Sequence, residues 1–299
     1  MRFATVLHTG APRLAVADGD DLALAPRELG DLLDVICAGP GRLDQIRAEH
    51  HRWERIEAAG AHLAAPLRRQ PRDVLCTGWN YWDHFEEGKG RREGQDVDRP
   101  DHPTFFTKGP DTIIGPTEDI AYDPAMSQKW DYEAELALVF GRSARSIPES
   151  DAFHHVWGYL LANDISQRDL QRAYGGQWLK GKSIDATMPT GPWVVTADEV
   201  DPTDVRLECV VNGEKLQDGH TSQMAFPIPV LISELSRGMT VRAGQILLTG
   251  TPSGVGNARD PQVFLKAGDE VVVRGSGLGE QRNTLVETPL TSPSAGVGT

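Results

Sequence analysis

The chain opens with two short apolar runs, residues 3–7 and 13–17, on either side of a Gly-Ala-Pro turn, and they read as paired strands. Two helical patterns follow. In residues 29–37, Leu29, Leu32, Leu33 and Ile36 recur at helical spacing and Gly39-Pro40 supplies a stop. In residues 43–59, Leu43, Ile46, Trp53 and Ile56 form a sparser stripe on an otherwise charged helix, with His50-His51 on its solvated surface. The segment 66–71, with a proline at each end, marks the boundary of a small α+β N-terminal domain, residues 1–70.

Beyond Asp73 the texture changes to short apolar runs separated by Gly and Pro. Residues 74–76, 104–106, 136–140, 156–161, 193–195, 207–211, 246–248 and 270–273 suit strands, and Asn212-Gly213 is a hairpin signal. Helices are few: one after Asp164 running through Arg172, and one from Pro229 through Arg237. This pattern predicts a mainly β fold with some α, a rolled or sandwiched sheet, over residues 71–290. Residues 87–98 form a polar, Gly-rich loop of the kind used as a lid, and 291–299 a flexible tail.

Composition narrows the function. The apolar fraction is 39% with seven Trp in 299 residues, ample for a core. Lys plus Arg number 30 against 43 Asp plus Glu, a formal charge of -13. That charge repels phosphate backbones and anionic lipids, so no nucleic acid and no membrane is expected as a partner. An anionic substrate then needs local positive charge or a metal. Cys37, Cys76 and Cys209 are far apart and lack metal-ligand spacing, which argues against a disulfide framework or a zinc-thiolate site. With too short an apolar run at the start for a signal peptide and no long apolar span, a cytoplasmic protein is expected.

Four constellations carry possible chemistry. In Asp131-Tyr132-Glu133-Ala134-Glu135, residues two apart on a strand share a face, so Glu133 and Glu135 project together. They form either a solvated face or a pair that repels unless a hard cation lies between them. Asp164, at the end of an apolar run, is either a helix N-cap or a third ligand. Three carboxylates without Cys or His suit an octahedral oxygen site better than zinc. His84 and Glu87 stand one helical turn apart, as a surface pair or as a dyad in which Glu87 fixes the imidazole tautomer and His84 acts as a base. Lys182, in Lys180-Gly181-Lys182-Ser183, is a solvated loop lysine or a group that stabilises a carboxylate or oxyanion. The Gly-rich stretch 249–256 is a plain turn or an anion cradle, and is neither a P-loop nor a dinucleotide fingerprint.

In this order the pieces resemble the fumarylacetoacetate hydrolase family, over roughly residues 73 to 288. The resemblance rests on Asn80-Tyr81-x-Asp83-His84-x-x-Glu87, on Asp131 to Leu136, on Asn163-Asp164-Ile165-Ser166-x-Arg168-Asp169, on Gly181-Lys182-Ser183 and on Leu248 to Gly256. It implies a mixed β-sandwich roll of that family's type, a homodimer, and one Mg²⁺ or Mn²⁺ per subunit, with Ca²⁺ an acceptable substitute in crystals. By position it implies Glu133, Glu135 and Asp164 as metal ligands, His84 and Glu87 as the catalytic dyad, and Lys182 facing the substrate. Arg168, Gln171 and Thr251 fall among substrate-binding positions. Trp79 and Trp82 beside the dyad, with Gln167, Met188 and Thr190, depart from the family's pattern on the pocket wall.

The expected partner is a small 2-oxo or diketo acid, and the expected reaction is hydrolysis of a carbon–carbon bond in an acylpyruvate-like substrate, with His84 activating water. The alternative is a lyase on the same site, an oxaloacetate-type decarboxylase or a 2-oxo-alkenoate hydratase. A third reading is a metal-binding module without turnover.

Overall fold

Strand Ala134–Phe140 is buried along its whole length, and the fold is built outward from both of its faces. Leu136, Leu138 and Phe140 point into one hydrophobic cluster, while Ala137 and Val139 point into another. The alternation explains why the strand is apolar at every position from Leu136 to Phe140: each face of the strand meets a packed layer. The computed structural model describes residues 1–90 and 97–292. Residues 91–96 of the expected loop over 87–98, and the expected tail beyond 292, therefore lie outside the described residues.

The architecture is mainly β with some helices. The large sheet runs in the order Glu54–Glu57, Asp21–Leu24, Ala11–Asp18, Arg2–His8, Val194–Thr196, Val156–Asn163, Ala134–Phe140, Ile246–Leu248, Val74–Gly78 and Thr104–Lys108, with Leu63–Ala64 paired to Arg2–His8. A second sheet runs Glu214–His220, Arg206–Val211, Glu270–Gly275, Gly279–Glu287 and Ile120–Tyr122. Leu207, Cys209, Val211, Val271 and Val273 of the second sheet pack on Leu136, Leu138, Phe140 and Leu161 of the first. The opposite face of the large sheet is covered by Leu32, Val35, Ile36 and Ile46 from two N-terminal helices. Most pairs are antiparallel, but Ile246–Leu248 runs parallel to Val74–Gly78, so the sheet is mixed. Residues 1–70 add their strands to the same sheet through the pairing of Arg2 and Phe3 with Val195 and Val194.

The strands expected at 3–7, 13–17, 74–76, 104–106, 136–140, 156–161, 193–195, 207–211, 246–248 and 270–273 all lie in or against observed strands. The helix expected over 43–59 does not form as one piece. It spans Pro40–Glu49 and gives way to strand Glu54–Glu57. Pairing along the edge of Asp21–Leu24 lets Ile56 pack with Leu22 and Leu24 and brings Arg55 onto Asp18 and Asp21. Such a distant pairing has no local signature. The helix expected over 29–37 begins later, at Leu32, where Asp31 and Asp34 form a reciprocal capping box.

Candidate active site

Four strands meet at one end of the large sheet. Ala134–Phe140 begins there, and Val156–Asn163, Ile246–Leu248 and Val74–Gly78 end there. Glu135 lies on the first of these strands and Glu133 immediately before it. The Glu133 amide donates to Asn163 Oδ1 at 3.1 Å, and the Asp164 amide donates to the Glu133 carbonyl at 2.9 Å. Asp164 does not cap a helix: the helix starts at Arg168, after a short bridge at Ser166–Gln167, and its N-cap is Gln167. Each of Glu133, Glu135 and Asp164 offers an oxygen within 4.8 Å of the others, and all three are buried.

This cluster is heavily paired. Lys182 Nζ donates to Glu133 Oε2 at 2.6 Å and to Asp164 Oδ2 at 2.8 Å, and lies 5.1 Å from the Phe106 ring centroid. Lys108, fully buried, binds Asp164 Oδ1 and the Ile165 carbonyl. Arg168 donates to Asp131 Oδ2 at 2.8 Å, pairs with Glu133 at 2.7 Å and reaches Gln171 Oε1 at 3.2 Å. Burial drives the Glu133 carboxyl up, but Lys182 and then Arg168 outweigh it and hold it down at about 2. The same acids hold the Lys182 ammonium charged against its burial. Glu135 goes the other way. Burial, then Asp164 and Glu133, push its carboxyl well above the ordinary range. It accepts the Gly250 amide at 2.7 Å.

Buried acids Asp131, Glu133, Glu135 and Asp164 thus face buried cations Lys108, Arg168 and Lys182, one positive charge short of balance. An all-oxygen donor set, a Glu135 carboxyl left without a cation of its own and an unpartnered Thr77 hydroxyl in the cavity wall fit a hard divalent cation.

The Gly-rich stretch after Leu248 is a cradle for the protein's own carboxylates. Its amides reach Glu135 from Gly250, Glu87 from Gly254 at 2.8 Å, and Asp131 from Gly256 at 2.7 Å. Gly250 and Gly254 hold φ of 98° and 106°, which side-chain-bearing residues rarely adopt. Asn80, which bonds both the Thr249 carbonyl and the Phe226 backbone, ties this stretch to helix Trp82–Glu87. On that helix His84 Nδ1 meets Glu87 Oε1 at 2.7 Å. The carboxylate is an acceptor, so this bond assigns a proton to Nδ1, and in the neutral ring the lone pair is then on Nε2.

His84, Glu133, Glu135, Arg168, Gln171, Lys182 and Thr251 line one small cavity of about 30 Å³. Thr251 is otherwise engaged, donating to the Ala134 carbonyl at 3.0 Å and accepting from Gln217 at 2.8 Å. A larger cleft of about 820 Å³ lies against the N-terminal strands, around Arg13, Asp31 and Arg69, and holds none of these residues. Convergent chemistry, rather than volume, locates the site. Sequence reasoning missed Lys108, Asp131 as the acid that anchors Arg168, and Trp178. The signal for Lys108 was a lysine closing an apolar run just before Gly-Pro.

The family described as fumarylacetoacetate (FAA) hydrolase C-terminal matches residues 73–286. The chain belongs to the fumarylacetoacetate hydrolase family. Among its relatives, oxaloacetate tautomerase YisK of Bacillus subtilis is 41% identical over 75% of this chain and 72% of its own length. Oxaloacetate tautomerase FAHD2A, mitochondrial, of Bos taurus is 44% identical over 93% of this chain and 89% of its own. Among solved structures, a fumarylacetoacetate hydrolase from Exiguobacterium antarcticum superposes with a TM-score of 0.82 at 35% identity, covering 96% of this chain and 100% of that one. No helix among the described residues is long and apolar enough to cross a membrane.

Proposed function

We propose that this chain is a divalent-metal-dependent enzyme that interconverts the enol and keto forms of oxaloacetate or a close 2-oxo dicarboxylic acid. The observation that carries the reading is the 44% identity, over 93% of the chain, to a relative named as an oxaloacetate tautomerase. The site supports it, because tautomerisation needs one base that moves a proton between carbon and oxygen, and the cavity presents one. This reading moves the function away from carbon–carbon hydrolysis and towards the oxaloacetate chemistry expected as the alternative.

Glu133, Glu135 and Asp164 are the residues that would hold the metal, Mg²⁺ or Mn²⁺, which when bound supplies Lewis-acid polarisation of the 2-oxo group. Every proton movement falls to the chain's own residues. Glu87, fixed by the Gly254 amide, holds the His84 ring and keeps Nδ1 protonated. His84 Nε2 takes a proton from C3 of the keto form and returns it to the oxygen on C2. Negative charge that develops on that oxygen is met by the Lys182 ammonium, which is buried and therefore acts in a low dielectric. Arg168 and Gln171 stand in the wall where a substrate carboxylate is received.

The test follows enol and keto oxaloacetate by ultraviolet absorbance while pyruvate is measured separately, with Mg²⁺, with Mn²⁺ and with chelator. Metal-dependent approach to keto–enol equilibrium, lowered about 10²- to 10⁴-fold in His84→Ala, is the expected result. Rapid pyruvate release with little equilibration would instead assign a decarboxylase. Acylpyruvate hydrolysis is the second reading, favoured by the 35% identical hydrolase structure, and the same variant should abolish it. A homodimer and a cytoplasmic location belong to this proposal and are checked by light scattering and cell fractionation.

A further inference from the structure

The wall of the active-site cavity is one aromatic layer thick, and a second space lies behind it. Trp79, Phe106 and Trp178 line both the 30 Å³ cavity and an outer cleft of about 370 Å³. On the inner side stand His84, Glu133 and Lys182; on the outer side stand Thr104, Phe105, Gly176 and Gln177. Trp178 is the centre of the layer. Its ring meets the Trp79 ring edge-on at 4.9 Å between centroids and the Phe106 ring at 5.1 Å. It lies so close over the backbone that a Cβ on Gly78 would come within 2.3 Å of its Cζ3 atom. Trp79 holds a φ of 55°, uncommon for a bulky side chain, and so turns its indole into this layer instead of along the strand that ends at Gly78.

We propose that Trp178 is the specificity-determining partition of the site, confining the inner cavity to short 2-oxo acids and shutting out those whose distal substituent would occupy the outer cleft. The inference rests on the reading that a 2-oxo acid binds beside the carboxylate cluster. The excluded class is diketo acids that carry an aryl or long acyl group, since the outer cleft is of the size that takes such a group and Phe105 gives it an apolar lining. Trp178 makes no proton transfer here, and its contribution is steric.

Two ligands that each present an adjacent pair of oxygens to a metal, one without and one with a bulky distal group, test this: oxalate, and a 4-aryl-2,4-dioxobutanoate. Their dissociation constants are measured by calorimetry on the Mg²⁺-loaded full chain, as wild type, Trp178→Ala and Trp178→Leu, with folding checked by circular dichroism. The ratio of aryl-ligand to oxalate affinity should rise at least tenfold in Trp178→Ala, since burying even one added methylene is worth about tenfold or more in a matched pocket. Should the alanine variant fail to fold, Trp178→Leu, which keeps an apolar side chain but cannot span to both neighbours, should raise the ratio at least threefold. A purely structural role for Trp178 would weaken both ligands in parallel, and an unchanged ratio in the folded variant overturns the partition. Oxaloacetate turnover by the wild type is measured alongside. Its failure would refute the proposed reaction while the affinity ratio still decides the role of Trp178.

Discussion

Replacing Glu135 by Gln should stabilise the metal-free protein and at the same time remove most of its response to Mg²⁺. Glu135 is the acid for which the buried cluster has no matching cation, and its carboxyl is pushed up by burial, by Asp164 and by Glu133. Gln keeps the shape and can still accept the Gly250 amide, so the substitution removes the ionisable group without opening a cavity. An imperfectly paired buried polar group costs about 1–3 kcal/mol, more when charged, and the surviving amide bond argues for a middle figure of about 2 kcal/mol. At roughly 2–4 °C per kcal/mol for a shorter chain, and less for one of this length, Gln should raise the melting temperature in chelator by about 3 °C. Its sign with pH follows from linkage. A carboxyl raised on folding carries no penalty below its unfolded value near 4.3, and the penalty grows as pH rises from there through the folded value. The advantage of Gln should therefore be small near pH 4 and grow towards neutrality. Wild type at a Mg²⁺ concentration 100 times its Kd should gain about 2.7 kcal/mol, and the variant, short of one charged ligand, much less. Thermal unfolding across pH, in chelator and in graded Mg²⁺, reads both effects. A variant less stable than wild type in chelator would refute the charge-surplus reasoning, and an undiminished Mg²⁺ shift would remove Glu135 from the ligand set.

The remaining predictions concern its neighbours. Glu133 is held at about 2 in the fold, below its unfolded value, so its stabilisation is present above that unfolded value and lost as pH falls towards about 2. Acid titration in chelator should show wild type losing on the order of 3 kcal/mol more than Glu133→Gln across that window. Lys182→Met leaves Glu133 and Asp164 without their shared ammonium and should cost about 3–5 kcal/mol in urea unfolding, partly restored by high Mg²⁺. A cost under 1 kcal/mol would mean that Lys108 and Arg168 suffice. Glu87→Gln keeps the Gly254 contact but weakens the hold on His84, so kcat should fall about 10- to 100-fold with KM little changed. Equal loss in kcat/KM for variants on either side of the dyad, with no change in the pH–rate profile, would count against a base at His84.

The parts of this site that could be read from sequence are those whose side chains announce themselves against their surroundings. Glu133 and Glu135 stand at the head of an apolar strand, and Asp164 closes another, so their carboxylates interrupt a pattern that otherwise buries only carbon. His84 and Glu87 share a helical turn, and local spacing brings them together. Strand Glu54–Glu57 was hidden because its charged residues fit a helix as well as an edge, and only its partner Asp21–Leu24 decides between them. Lys108 and Trp178 were hidden for a related reason. Each reaches the site from an element far along the chain, Lys108 through its length and Trp178 by leaning on Gly78. Asp131 was visible as a member of its motif, but its task of holding Arg168 and two backbone amides of residues 256 and 257 needs the folded chain.

The amide cradle of residues 250–256 has a consequence for how this scaffold diversifies. One short stretch of backbone touches Glu135, a member of the acidic cluster, Glu87, which meets the His84 ring, and Asp131, which anchors Arg168. These groups come from separate elements but share a single reference frame, so a shift in that loop moves all of them together. A change in the spacing between the His84–Glu87 pair and the acidic cluster would disturb both. The aromatic wall of Trp79, Phe106 and Trp178 is held by ring packing rather than by these amides. Relatives and structural neighbours whose names include tautomerases, isomerases and hydrolases fit a rigid chassis that carries more than one reaction.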